Sequence, residues 1–309
     1  MKLVFFDDFK LGVVKDGVVV DVSDAVSSIP HQEPNELINR LIAGYSEHKQ
    51  KLAAVVNERT GVPLAQVKLR SPLPKPFNIV AMAVNYMEDG TRAEPAPINA
   101  FHKSPNAVIG DGDTMVLPDI PATIFEGEAE MALVIGKRAE QVKAEDAYDY
   151  IFGYLNFIDG SARGLQDGGN TFYQMKSRET FAPMGPWLVT ADEVPDPLNL
   201  QVNLWVNGEL KQSYHTSDMA HKIPRVIEWA SSMHTLEPGD IIALGTNHRG
   251  LSALMDGDAV EMEVDGLGRL HLNVRDDLKR TWARETRLDR MERDLQGTTP
   301  QLTGKYAKA

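Results

Sequence analysis

The chain contains no cysteine, which excludes disulfides, zinc–thiolate sites and thiol nucleophiles. No apolar run approaches the ~20 residues that a membrane-spanning helix needs. Positive charge is scarce, with 32 Lys+Arg against 44 Asp+Glu and a formal net charge of −12. That balance argues against a nucleic-acid partner, whose phosphates are held by clustered cations. It still permits an anionic small-molecule substrate, because a bound cation reverses the local field. A Walker phosphate loop, a glycine-rich dinucleotide fingerprint and a His-Glu-x-x-His zinc motif are also missing. The segment Gly160-Ser161-Ala162-Arg163-Gly164 imitates a nucleophile elbow but lacks its spacing. The start, Met1-Lys2-Leu3-Val4-Phe5-Phe6-Asp7-Asp8, turns acidic too early for a secretory signal. A soluble cytoplasmic protein, with no membrane partner, is the expectation.

What is present has the composition of an ordinary globular protein, with 42% apolar and 25% charged residues in 309. Strand signals dominate. The turn pair Asp16-Gly17 lies between Leu11-Gly12-Val13-Val14 and Val18-Val19-Val20, which predicts a hairpin. Pro34 opens a helix with Leu37, Ile38, Leu41 and Ile42 on one face. Three prolines in Ser71-Pro72-Leu73-Pro74-Lys75-Pro76 then read as an extended connector. Further on, Leu198, Leu200, Val202, Leu204 and Val206 alternate with polar residues up to the turn Asn207-Gly208. A second alternating pair, Val260-Met262-Val264 and Leu270-Leu272-Val274, flanks Asp265-Gly266-Leu267-Gly268. Between these hairpins one helix is predicted, capped by Ser217 or Asp218, with Pro224 early and Val226, Ile227 and Ala230 inward. The pattern gives an α+β, mostly β fold rather than a doubly wound sheet. The expected units are a small N-terminal domain over 1–72, a main domain over 73–275 and a tail over 276–309. In the tail, Leu278, Trp282, Leu288, Met291 and Leu295 are spaced for one face of a charged helix, with a loose end beyond Gly297.

The most informative segment runs from Phe125 to Gly136. Glu126, Glu128 and Glu130 recur at every second position and lead into an apolar run. On a strand such side chains share one side, about 7 Å apart. Carboxylates that close on a buried face are costly unless a cation neutralises them. An oxygen-only site suits Mg²⁺ or Mn²⁺, with Ca²⁺ as a third candidate. An exposed edge strand whose glutamates deter aggregation explains the same spacing. Asp159 ends the apolar segment from Ile151 and is either a further ligand or a turn cap. Lys176 is either a cation beside a developing oxyanion or a solvated surface lysine. Thr246 lies in a loop leaving the apolar run Ile241-Ile242-Ala243-Leu244, and such loops often carry function.

Taken in order, these pieces resemble the fumarylacetoacetate hydrolase family, including its acylpyruvate hydrolases and 2-hydroxyhepta-2,4-diene-1,7-dioate isomerases. The matching blocks are Ala83-Val84-Asn85-Tyr86, Phe101-His102-Lys103-Ser104-Pro105, Glu128-Ala129-Glu130-Met131 through Lys137, and Gly153-Tyr154. They continue with Asp159 to Arg163, Lys176-Ser177, Gly185-Pro186, Val206 to Glu209, Leu236 to Asp240 and Gly245-Thr246. The resemblance implies a mixed β-sandwich roll, usually a homodimer, binding Mg²⁺ or Mn²⁺ through Glu128, Glu130 and Asp159. It implies roles toward substrate for Lys176, Lys103, Arg163, Gln166 and Thr246. Glu126 falls where the family often has Asp or His and is left outside the ligand set.

Family hydrolases carry a His-x-x-Glu pair on a lid; here those positions are Asp89 and Arg92. The acids Asp89 and Glu94 are the candidates for the missing base, with Glu88, His102 and His248 as other choices. The resemblance implies a metal-dependent hydrolase that splits a C–C bond in a β-diketo or acylpyruvate-type 2-oxo acid during catabolism of aromatic or sugar acids. An isomerase, tautomerase or decarboxylase on a related 2-oxo acid uses the same metal site without activating water. A non-catalytic metal-binding paralogue is the remaining alternative.

Overall fold

A computed structural model describes residues 1–165 and 171–307. Two β-sheets form the body, one of twelve strands and one of five. At the centre of the larger sheet the strand Ile124–Ile135 pairs antiparallel with Ile151–Arg163. Both are buried almost end to end. From Ala129 to Ile135 the odd positions and the apolar even positions Ala132 and Val134 serve different cores. Met131 and Leu133 pack with Val202, Leu204, Met262 and Leu270 of the smaller sheet. Ala132 and Val134 pack with Phe157, Leu188, Ile38 and Leu41 on the other side. This two-sided burial explains why the strand reads as a continuous apolar run beyond Glu130.

The five-stranded sheet is the one whose alternation is plain in the sequence. Gln201–Val206 turns at Asn207-Gly208 into Glu209–His215, and Ala259–Val264 turns into Arg269–Arg275. The hairpin Lys10–Lys15 with Val18–Asp21 and the helix Pro34–Ala43 also stand where their signals lie.

Several expectations change. The strand Lys2–Phe6 pairs with Ala182–Thr190, so the larger sheet crosses the boundary at the proline connector. The middle helix is Ile223–Met233, with Lys222 at its N-cap and Pro224 in its first turn. Ser217 and Asp218 belong to a separate 3-10 turn. The tail departs most. Its helix covers only Arg287–Met291, started by a Thr286/Asp289 capping box. Tertiary contacts override the helical spacing before it. Asp276 accepts three hydrogen bonds from the buried Arg280, whose guanidinium also donates to the Pro118 and Ile120 carbonyls. Trp282 donates to the Thr123 carbonyl at 2.8 Å. The end beyond Gly297 is not loose throughout, because Gln301–Thr303 pairs with Thr281–Trp282. Among the described residues no helix is long and apolar enough to cross a membrane.

Candidate metal centre and active site

Register builds the site. Glu128 stands directly opposite Asp159 in the antiparallel pair, and Glu130 follows on the same side of the strand. One carboxylate oxygen from each of Glu128, Glu130 and Asp159 lies within 4.8 Å of the others, and all three side chains are buried. The edge-strand explanation of the glutamate spacing is thereby set aside. Such a trio is stable only if its charge is met.

Two lysines and an arginine meet part of it. Lys176, at the end of the short helix Phe172–Lys176, donates to Glu128 at 2.8 Å and to Asp159 at 2.6 Å. It is buried, not a surface lysine, and its Nζ lies 5.3 Å from the Phe101 ring centre. Lys103 donates to the other Asp159 oxygen at 2.5 Å and to the Gly160 carbonyl at 3.2 Å. Burial pulls the Lys103 ammonium below its ordinary pKa, against the pull of Asp159. Arg163 donates to Glu128 and, at 2.8 Å, to Glu126.

The carboxylates are consequently unlike one another. Burial alone raises the pKa of Glu128, but Lys176 and Arg163 outweigh it and hold this carboxyl well below the usual range. Glu130 is pushed well above that range, first by burial and then by the charges of Asp159 and Glu128. One oxygen of Glu130 accepts from the Gly245 backbone N–H at 2.7 Å; the other, Oε1, is buried with no hydrogen-bond partner among the described residues. An orphaned carboxylate oxygen in an all-oxygen donor set fits a hard divalent cation such as Mg²⁺ or Mn²⁺. Gly245 reaches Glu130 because it adopts a positive φ of 87°; a Cβ there would lie 2.9 Å from that of Asn85.

Glu126 lies on the same side of the strand but outside this trio. Its carboxylate is paired with Arg163 and with Arg287 of the tail, which outweigh burial and hold its pKa low. Arg163 is therefore tied into an ion-pair chain running from Arg287 through Glu126 to Glu128, while still lining the small cavity at the site. Thr246 lines the same cavity and accepts from Gln212 at 2.8 Å. Gln212 also accepts from the Ala129 N–H at 3.0 Å and donates to the Asn247 carbonyl at 2.8 Å, fastening the Thr246 loop to the glutamate strand. Sequence reasoning gave no signal for Gln212, which sits in an ordinary alternating strand.

The lid segment brings a different pair to the site from the one its acids suggest. Asp89 is exposed and ion-paired with Arg249 at 2.9 Å, and Glu94 is exposed. His102 alternates outward from the strand that buries Lys103. Glu88, by contrast, is buried, and accepts from both the backbone N–H and Nδ1 of His248. His248 lines the cavity together with Glu128 and Lys176. Gln166 lies outside the described residues.

A family model for the fumarylacetoacetate (FAA) hydrolase C-terminal region matches residues 78–275. The chain is 36% identical over 280 residues to oxaloacetate tautomerase YisK of Bacillus subtilis, covering 84% of this chain and 93% of that protein. It is 32% identical over 291 residues to maleylpyruvate hydrolase of Aquipseudomonas alcaligenes, covering 89% and 99% respectively. The crystal structure of maleylpyruvate hydrolase from Sphingobium sp. SYK-6, in complex with manganese(II) ion and pyruvate, matches with a TM-score of 0.81 at 36% identity. That match covers 89% of this chain and 99% of the other.

Proposed function

This chain belongs to the fumarylacetoacetate hydrolase family, and we propose that it is a divalent-metal-dependent hydrolase of acylpyruvate-type 2-oxo acids that splits the C–C bond of a β-diketo unit. The observation carrying this reading is the buried trio of Glu128, Glu130 and Asp159 beside Lys176. These three acids are the proposed ligands of Mg²⁺ or Mn²⁺. Bound there, the cation supplies Lewis-acid polarisation of the 2-oxo acid end of the substrate.

The remaining work falls to the chain. Lys176 places an ammonium where negative charge develops on the substrate oxygen, inside a site that excludes most water. Glu88 accepts from Nδ1 of His248, which leaves the lone pair on Nε2 to act as base. His248 takes a proton from water as the hydroxide oxygen bonds to the distal carbonyl carbon. The C–C bond to the methylene then breaks, its electron pair stays on the methylene carbon, and that carbon receives the proton from His248. Substrate plus water becomes a carboxylic acid and a 2-oxo acid, with His248 restored.

A second reading is a keto–enol tautomerase of a 2-oxo acid, supported by the 36% identity to a relative named for that reaction. The same pair would then shuttle a proton without adding water. The test is turnover of acylpyruvates, followed by loss of their enol absorbance with Mn²⁺ supplied. The reading expects turnover that a chelator abolishes and Mn²⁺ restores; the absence of metal-dependent turnover across the panel contradicts it.

A further inference from the structure

We propose that Arg287 of the tail is a positioning residue for the metal centre, acting on Glu128 through Glu126 and Arg163. This inference rests on the metal reading above, and it concerns a part of the chain beyond residues 78–275, the segment matched to the family. The path starts at Glu128. Its Oε1 accepts from Lys176 at 2.8 Å, from the Ser161 hydroxyl at 3.2 Å and from Arg163 Nη2. Three donors on one oxygen fix how this carboxylate is turned toward Glu130 and Asp159. Arg163 can serve as one of them only while its own guanidinium is held. Its Nε donates to Glu126 at 2.8 Å, and Glu126 stands on the same strand as Glu128.

Glu126 is the link that needs support. Its side chain is fully buried, and with Arg163 alone it would compete with Glu128 for one guanidinium. Arg287 removes that competition. It binds both oxygens of Glu126, Nε to one at 2.9 Å and Nη2 to the other at 2.5 Å. That is the bidentate fork a guanidinium offers and an ammonium does not. Arg163 can then divide its donors between Glu126 and Glu128. The tail that delivers Arg287 is itself fastened to the loop following His248. The Arg287 backbone N–H donates to the Leu251 carbonyl at 2.9 Å, and Thr286 forms an isolated β-bridge with Ser252. Arg284 donates to the two oxygens of Asp258 at 2.7 and 2.5 Å. Among the described residues Arg287 pairs with no acid besides Glu126, so its influence on the ligands passes through that residue. Lys176 differs, since its ammonium sits on two of the ligand carboxylates and competes with a bound cation.

The test is the Mn²⁺ affinity of the full-length protein, measured by calorimetry, with far-UV circular dichroism as the check on folding. Arg287→Met is expected to weaken Mn²⁺ binding about 10–100-fold, the usual effect of losing a group that orients a metal ligand. Arg287→Lys keeps the charge and loses the fork, so it should recover only part of that loss. Glu126→Gln breaks the same path one step further in, and adding Arg287→Met to it should cost little more. Arg290→Met is the structural control. Arg290 braces the same short helix through Glu285 and the Gln296 and Gly297 carbonyls, and its loss should leave Mn²⁺ affinity unchanged. Unchanged or tighter Mn²⁺ binding in Arg287→Met overturns the proposal while the metal reading stands. An additive double variant, an equal loss in Arg290→Met or wild-type affinity in Arg287→Lys does the same. Should Arg287→Met not fold, Arg287→Lys alone decides. A wild-type protein that binds no Mn²⁺ overturns both readings.

Discussion

His248 is gripped by Glu88 at two points, its backbone N–H at 2.9 Å and its Nδ1 at 2.6 Å. The two residues are 160 positions apart, one on the lid segment and one on the loop after the strand Ile241–Ala243. Asp89 and Arg92 stand where the family resemblance implies a His-x-x-Glu pair, and the neighbouring Glu88 instead binds a histidine from a distant loop.

His248→Gln should lower kcat by roughly 10²–10⁴-fold, the usual contribution of a positioned acid–base group. Glu88→Gln, which changes only the group orienting the ring, should cost about 10–100-fold. Mn²⁺ affinity should hold in both. Equal kcat in wild type and His248→Gln would remove the histidine from the reaction.

Glu128→Ala or Asp159→Ala should abolish Mn²⁺ binding in calorimetry, with far-UV circular dichroism unchanged. Wild-type protein at a Mn²⁺ concentration of about 100 Kd should gain about 2.7 kcal/mol of unfolding free energy. Neither variant should show that gain. A variant that Mn²⁺ still stabilises to the wild-type extent contradicts the ligand set.

Lys176→Met separates charge stabilisation from metal holding. The expected fall in kcat is about 10²–10³-fold, as for loss of an oxyanion donor. Because the lysine leans on Glu128 and Asp159, Mn²⁺ affinity should be retained or increased. A loss of Mn²⁺ affinity as large as the loss of kcat would make Lys176 a structural support for the carboxylates.

Gln212→Leu should lower stability by about 1–3 kcal/mol in urea unfolding, since it strands the Ala129 N–H and the Asn247 carbonyl in a buried setting. KM should rise as well, because the same amide anchors Thr246 at the cavity. Unchanged stability and KM would show that this bridge is replaceable.

The glutamate strand was legible because spacing of two on a strand is a local pattern, and an apolar run locates the strand in the core. The hairpins at Asn207-Gly208 and Asp265-Gly268 were legible for the same reason. The pairing of Glu88 with His248 was not, since both residues are unremarkable in their own segments and only the sheet topology brings the segments together. Lys176 reads as surface from its neighbours Gln174, Ser177 and Arg178, yet the buried acids draw it inward. The tail misleads in the opposite direction. Its spacing is helical, but Arg280 and Trp282 find partners at Pro118, Ile120 and Thr123 that an isolated helix would lack. Arg287 reaches Glu126 across that same excursion.

The most direct test is mass analysis of the products formed from an acylpyruvate by the Mn²⁺-loaded protein. Two fragments whose masses sum to substrate plus water, formed by wild type and not by Asp159→Ala, are predicted. A single product of unchanged mass, or one lighter by carbon dioxide, would contradict C–C hydrolysis and leave His248 as a proton carrier between carbon and oxygen.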